Sequence, residues 1–196
     1  MITTRDLLGM SRRDLLRLLC EGHPIDAAAL DDTEYRGVSL GLPEIVERLT
    51  WKTFQKVFHR DPATGHLRGW NVRLVQKGLD AASVPVQRRD GSPLTFGHYR
   101  VVDPAGYRMP APCNRGLMID YGLGGNGRFD PTARLRDPIV AVNPGSVELL
   151  LGWSYVDLGI TQLRTPSFFS LQRERPLTHR ATPPGASAPR STKDPA

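Results

Sequence analysis

Ser146-Val147-Glu148-Leu149-Leu150-Leu151-Gly152-Trp153-Ser154-Tyr155-Val156-Asp157 is the stretch that decides the fold. Val147, Leu149, Leu151, Trp153 and Tyr155 alternate along it, the period of a strand whose one face is buried. That face is expected to point into the interior. Asn143-Pro144-Gly145 just before it is a turn signal, so Pro138–Val142 is expected to pair with it as a hairpin. The same period of two recurs upstream. Over Leu67–Gln76, Trp70, Val72 and Leu74 share one face, and Trp70 is expected to join the interior. Over Phe96–Asp103, Tyr99 and Val101 oppose His98 and Arg100. Leu117–Tyr121, Phe168–Arg175 and Tyr35–Leu40 are further strands.

Polar links rich in Pro and Gly separate these strands, at Asp61–His66, Arg88–Pro93, Asp103–Asn114 and Gly122–Asp137. Consecutive strands without intervening helices argue for an antiparallel sheet. A long sheet of this kind removes its edges by curling into a barrel. The expected class is therefore mainly β, a small antiparallel barrel or strongly curled sheet with one or two packed helices. Residues 1–32 read as an N-terminal helical segment, 33–175 as the barrel and 176–196, aperiodic and rich in Pro, Ser, Thr and Ala, as a disordered tail.

Two helices are expected. Ser11 is a good N-cap, Asp14 suits the positive helix end, and Leu15, Leu16, Leu18 and Leu19 form an apolar stripe closed by Gly22 and Pro24. Cys20 falls near that stripe and reads as a small core residue. Ser11-Arg12-Arg13 also has the form of a twin-arginine export signal. Asp14, Arg17, Glu21, His23, Pro24 and Asp26 interrupt its apolar region, which favours a helix in a cytoplasmic protein. The second helix is read over residues 43–59, from Pro43 at its first turn and Ile45, Val46, Leu49, Phe54, Val57 and Phe58 at helical spacing. The rival for part of this segment is a strand from Leu49, because Leu49, Trp51 and Thr53 alternate.

The 196 residues carry a net charge of +6, with 39% hydrophobic and 23% charged residues, ordinary globular usage. Residues 1–34 are net −3, the tail 176–196 is net +2, and the body between them is net +7. A basic body can draw anionic partners. Arg outnumbers Lys 22 to 4, the arginines are scattered, and no recognition motif accompanies them, which argues against nucleic-acid binding. No apolar run is long enough for a membrane helix. Two cysteines build neither a disulfide framework nor a zinc site, and the five histidines show no ligating spacing.

Motifs for chemistry are weak. Gly122-Leu123-Gly124-Gly125-Asn126-Gly127 matches a dinucleotide fingerprint, but Pro131 and Pro138 forbid the helix that would bind a pyrophosphate. A loop at a barrel mouth fits better, with anion cradling beside Arg128 as a lesser option. Cys113, His98 and Asp120 have the residue types of a triad but no supporting spacing. The aromatics are the stronger lead: Trp70, Tyr99, Tyr121, Trp153 and Phe169 are candidates to line a pocket. Filling a core is what such residues do most often, but a small barrel can also hold one ligand. The leading expectation is non-catalytic binding of a small, mainly apolar ligand, without metal or cofactor. The alternatives are an enzyme using His98, Arg100 and Asp120 at a barrel mouth, or a module that binds an anionic partner.

Thr33-Glu34-Tyr35-Arg36-Gly37, the helices around it, Leu151-Gly152-Trp153 and Ser167-Phe168-Phe169-Ser170-Leu171-Gln172-Arg173-Glu174 resemble a bacterial family of small lipocalin-like barrels named for a Gly-x-Trp-x-Gly motif. The resemblance spans most of residues 5–175 and implies a barrel fold. At the motif itself this chain has Thr33 in place of the first Gly and Tyr35 in place of Trp.

Overall fold

Eight antiparallel strands close into a barrel in which each strand pairs with the next and the last returns to the first. The structure is a computed structural model that describes residues 1–41, 52–127 and 129–185. The strands are β1 (Thr33–Leu40), β2 (Thr53–Arg60), β3 (Leu67–Arg73), β4 (Thr95–Val102), β5 (Leu117–Asp120), β6 (Leu135–Ala141), β7 (Leu149–Asp157) and β8 (Gln162–Pro176). Closure rests on β8, which pairs with β7 along one edge and with β1 along the other. The expected hairpin forms between β6 and β7, with Val140 opposite Leu151 and Asn143–Ser146 in the turn.

Two helices precede the barrel, α1 (Thr4–Leu8) and α2 (Arg12–Glu21). Each begins at a side-chain cap, Thr3 accepting from the amide of Asp6 and Ser11 from that of Asp14. Leu7, Leu15 and Leu19 are buried and carry α1 and α2 onto the barrel wall. The end of α2 is clamped to β6. His23 exchanges two backbone hydrogen bonds with Ala141, and a Cβ at Gly22 would lie 2.4 Å from the Val140 side chain.

All eight strands contribute to one buried cluster that includes Tyr35, Phe58, Leu67, Tyr99, Ile119, Ile139, Leu150 and Phe169. This cluster is the lumen. A second cluster joins Leu149, Leu151, Trp153 and Tyr155 of β7 to the leucines of α1 and α2. Leu149, Leu151, Trp153 and Tyr155 therefore point outward, beneath the helices, and not into the interior as expected, while Val147 of the same set packs against the lumen cluster. Both faces of β7 are buried, so alternation could not say which one lies inside. Trp70 does not share the lumen either. It packs on the outer wall with Val57 and Val72, beneath Leu177 and Ala181.

Two boundaries are corrected. The expected helix 43–59 is a strand over its last part, since β2 runs from Thr53 to Arg60; residues 43–51 lie outside the described residues. Gln55, Lys56 and His59 are buried along with Val57 and Phe58, so β2 shows no polar face and its period is hidden. The tail also begins later than expected. Leu177 donates its amide to the Asp32 carbonyl, and Thr178 donates its amide and hydroxyl to Glu34 Oε1 at 2.7 and 2.6 Å. Residues 177–185 thus form a strap across the outer wall, and residues 186–196 lie outside the described residues. No helix among the described residues is long and apolar enough to cross a membrane.

Candidate functional site in the barrel lumen

Phe54, Lys56 and Phe58 of β2 face inward because Gln55, Val57 and His59 face the outer wall. Lys56 is 2% exposed, an extreme position for an ammonium group. Its Nζ donates to Asn71 Oδ1 at 3.1 Å, to Asp137 Oδ2 at 3.3 Å and to the Tyr121 hydroxyl. The Tyr121 hydroxyl in turn donates to Asp137 Oδ2 at 3.0 Å. Asn71 is held by a bond from its Nδ2 to the Gly97 carbonyl. All three donors of the ammonium are thereby used, and the adjacent carboxylate offsets its charge.

Four rings enclose this charge. Nζ lies 5.0 Å from the ring centroids of Tyr99 and Tyr121, 5.1 Å from Phe169 and 5.8 Å from Phe54. Rings at this range attract a cation through their quadrupole. Each ring rests on a glycine of an adjoining strand. A Cβ on Gly37 would meet Phe54 at 2.3 Å, on Gly69 Tyr99 at 2.4 Å, on Gly97 Tyr121 at 3.2 Å and on Gly152 Phe169 at 2.3 Å. Three of these pairs are direct cross-strand partners: Gly37 with Phe54, Gly69 with Tyr99, and Gly152 with Phe169. The glycines let four rings lie against the barrel wall around one ammonium.

Burial lowers the Lys56 pKa, against the opposing pull of Asp137. Burial also raises the Tyr99 and Tyr121 phenols, with the charge of Asp137 adding to it. Both hydroxyls stay protonated and act as donors, Tyr99 to the Val57 carbonyl at 2.9 Å. Asp137 is 1% exposed, and among the described residues its Oδ1 has no hydrogen-bond partner. A buried carboxylate oxygen left unpaired is costly, on the order of 1–3 kcal/mol or more.

Of the five aromatic residues expected to line a pocket, three meet here: Tyr99, Tyr121 and Phe169. Trp153 lies on the outer wall, stacked on Phe168 at 5.9 Å, its Nε1 donating to the Thr165 carbonyl. Trp70 lies under the strap between His59 and His98. Sequence reasoning missed Lys56, Asp137, Asn71 and Phe54. The one available signal was a lysine, scarce in this chain, between two phenylalanines in Phe54–Phe58.

His98 lines two clefts beside the strap, of about 480 and 520 Å³. It is 5% exposed, its Nδ1 has no partner among the described residues, and its pKa falls to about 4 through burial, with Arg68 and Arg88 adding repulsion. Arg100 and Asp120 are opposed on β4 and β5. Asp120 is engaged by the Tyr107 hydroxyl, the Gly122 amide and Arg136. Cys113 belongs to the cluster under the helices and does not meet His98, so the triad residue types do not assemble. Among the described residues no group of three His, Cys, Asp or Glu could hold a metal ion. No protein-family model matches this chain, and neither a curated protein nor a solved structure matches it at a significant level.

Proposed function

We propose that the barrel binds a small, mainly apolar ligand in its lumen, without catalysis. The observation that carries this reading is the buried, unpaired Oδ1 of Asp137, whose Oδ2 pairs with the Lys56 ammonium at the centre of four aromatic rings. Aromatic walls suit an apolar body, and the orphan oxygen calls for a hydrogen-bond donor. The ligand class is therefore an apolar molecule bearing a hydroxyl or amine. A carboxylate end would meet repulsion from Asp137. The small lipocalin-like barrels that the sequence resembles accord with this reading. We place it in the cytoplasm, with α2 retained, because Leu15 and Leu19 bury in the wall.

Native mass spectrometry of the purified protein, followed by melting curves with matched long-chain alcohols, amines and acids, tests it. The expected result is a co-purifying apolar molecule and a stabilisation by alcohols or amines that acids do not give. The variant Lys56→Met with Asp137→Leu should fold and lose that preference. Absence of any bound molecule, with no shift from any member of the three series, would mean a solid core.

A second reading rests on the His98 clefts. Arg68 and Arg100 are directly opposed on β3 and β4 with His98 beside them, an arrangement that favours an anionic group. Phosphate or carboxylate binding that is weakened by Arg100→Ala and by salt, with the lumen variant unaffected, would favour it over the first.

A further inference from the structure

The two cysteines of this chain lie 93 residues apart, yet their sulfurs meet at 2.6 Å. Two unbonded thiols do not rest that close, and separate anchors hold each partner. Cys20 sits in the last turn of α2, whose end is fixed to β6 by Gly22 and by the paired backbone of His23 and Ala141. Cys113 sits in the segment between β4 and β5. There the Tyr107 hydroxyl donates to Asp120 Oδ2 at 2.6 Å, and the Arg108 carbonyl accepts from the Tyr155 hydroxyl at 3.1 Å. Arg164 donates to the Pro110 carbonyl. None of these anchors involves a thiol.

We propose that Cys20 and Cys113 form a redox-responsive pair that closes to an intramolecular disulfide and pins α2 to the barrel. Cys113 is buried and Cys20 partly exposed, so oxidant meets Cys20 first. Burial, with Cys20 alongside, raises the Cys113 thiol, which keeps it protonated until it acts as the resolving partner. With a peroxide as oxidant, the Cys20 thiolate attacks one peroxide oxygen, the O–O bond breaks, and a sulfenic acid and hydroxide result. The Cys113 sulfur then attacks the Cys20 sulfur, the S–O bond breaks and a second hydroxide leaves. The two thiols give up two electrons and two protons, and hydrogen peroxide becomes two waters. A dithiol reductant reverses the closure by exchange. The link would close a loop that takes in β1 to β4, half of the barrel's strands, and hold the helix over Leu151, Trp153 and Tyr155.

The test treats the full chain with hydrogen peroxide at a slight molar excess, or with oxidised glutathione, then alkylates under denaturing conditions and measures intact mass. The expected product is a monomer lighter by two hydrogens that takes up no alkyl group, and dithiothreitol restores two reactive thiols. Its melting temperature should exceed that of the reduced chain by roughly 5–15 °C. Cys20→Ser and Cys113→Ser should each abolish that difference. Two alkylatable thiols after oxidation, a sulfinic acid or glutathione adduct on Cys20, a disulfide between two chains, or a melting temperature independent of redox state would each overturn the proposal. If a serine variant fails to fold, the wild-type alkylation pattern decides alone.

Discussion

Replacing Lys56 by Met would keep the side-chain volume but strip Asp137 of its counter-charge. Three hydrogen bonds from Nζ disappear, and Asp137 keeps only the Tyr121 hydroxyl on Oδ2, with Oδ1 still unpaired. Breaking a buried ion pair by removing one partner costs about 3–5 kcal/mol. A domain holds only about 5–15 kcal/mol in total. With about 2–4 °C per kcal/mol at this size, the melting midpoint should fall by roughly 6–20 °C. Adding Asp137→Leu removes the stranded charge, and the Tyr121 hydroxyl is then free to turn to Asn71 Oδ1. The double variant should return to within about 1–2 kcal/mol of the wild type. Urea unfolding of the two single variants and the double at pH 7 measures the coupling, expected at about 3 kcal/mol or more. A loss below about 1 kcal/mol for Lys56→Met, or an additive double variant, would refute a charged, paired and desolvated Lys56.

Three further outcomes follow from the same physics. The His98 pKa lies below that of the unfolded chain, so its stabilising contribution is present above about pH 6.5 and is lost as pH falls towards 4. The unfolding free energy from urea titrations across that window should fall more for wild type than for His98→Phe, by about 1–3 kcal/mol after allowance for solvent screening. Gly69→Ala should cost about 3 kcal/mol by thermal melting, because the new Cβ would lie 2.0 Å from the Val57 carbonyl oxygen, backbone that cannot yield. A tolerated alanine there would contradict the described packing of Tyr99 on the wall. Truncation after Arg175 should cost about 2–4 kcal/mol by urea unfolding and raise the exposure of Trp70 to acrylamide quenching, since the strap supplies Ala181, Leu177 and two bonds to Glu34. An unchanged quenching constant would mean that the strap does not cover Trp70.

Pattern alone reached the barrel because turn signals and period-two runs are local, and a meander joins neighbours in chain order. Ser11, Asp14 and the leucines of α2 were legible for the same reason, since a helix records its cap and its stripe within a few turns. The pairing of β6 with β7 as a hairpin followed from Asn143-Pro144-Gly145. What sequence could not supply was the side of the wall on which each face lies. Leu149, Leu151 and Trp153 read as lumen residues and are covered by helices. Tyr99, Tyr121 and Phe169 read as pocket residues and gather around the buried Lys56 ammonium. The difference depends on what the N-terminal helices and the strap cover, a long-range fact.

The lysine cage shows the limit most clearly. Alternation revealed Tyr99, while Lys56, Asn71 and Asp137 come from three strands, and nothing local marks them as partners. Their glycine neighbours, too, look like ordinary breaks in a strand until closure of the barrel seats a ring on each. Sequence by itself determined seven of the eight strands and the amphipathic helix, because period, caps and turns act over a few residues; β2 read as helix. Tertiary structure alone decided the inside and outside of β2 and β7, the pairing of Lys56 with Asp137 and the meeting of Cys20 with Cys113. Burial and charge compensation depend on which distant segments close over a side chain, and that is fixed only when β8 returns to β1.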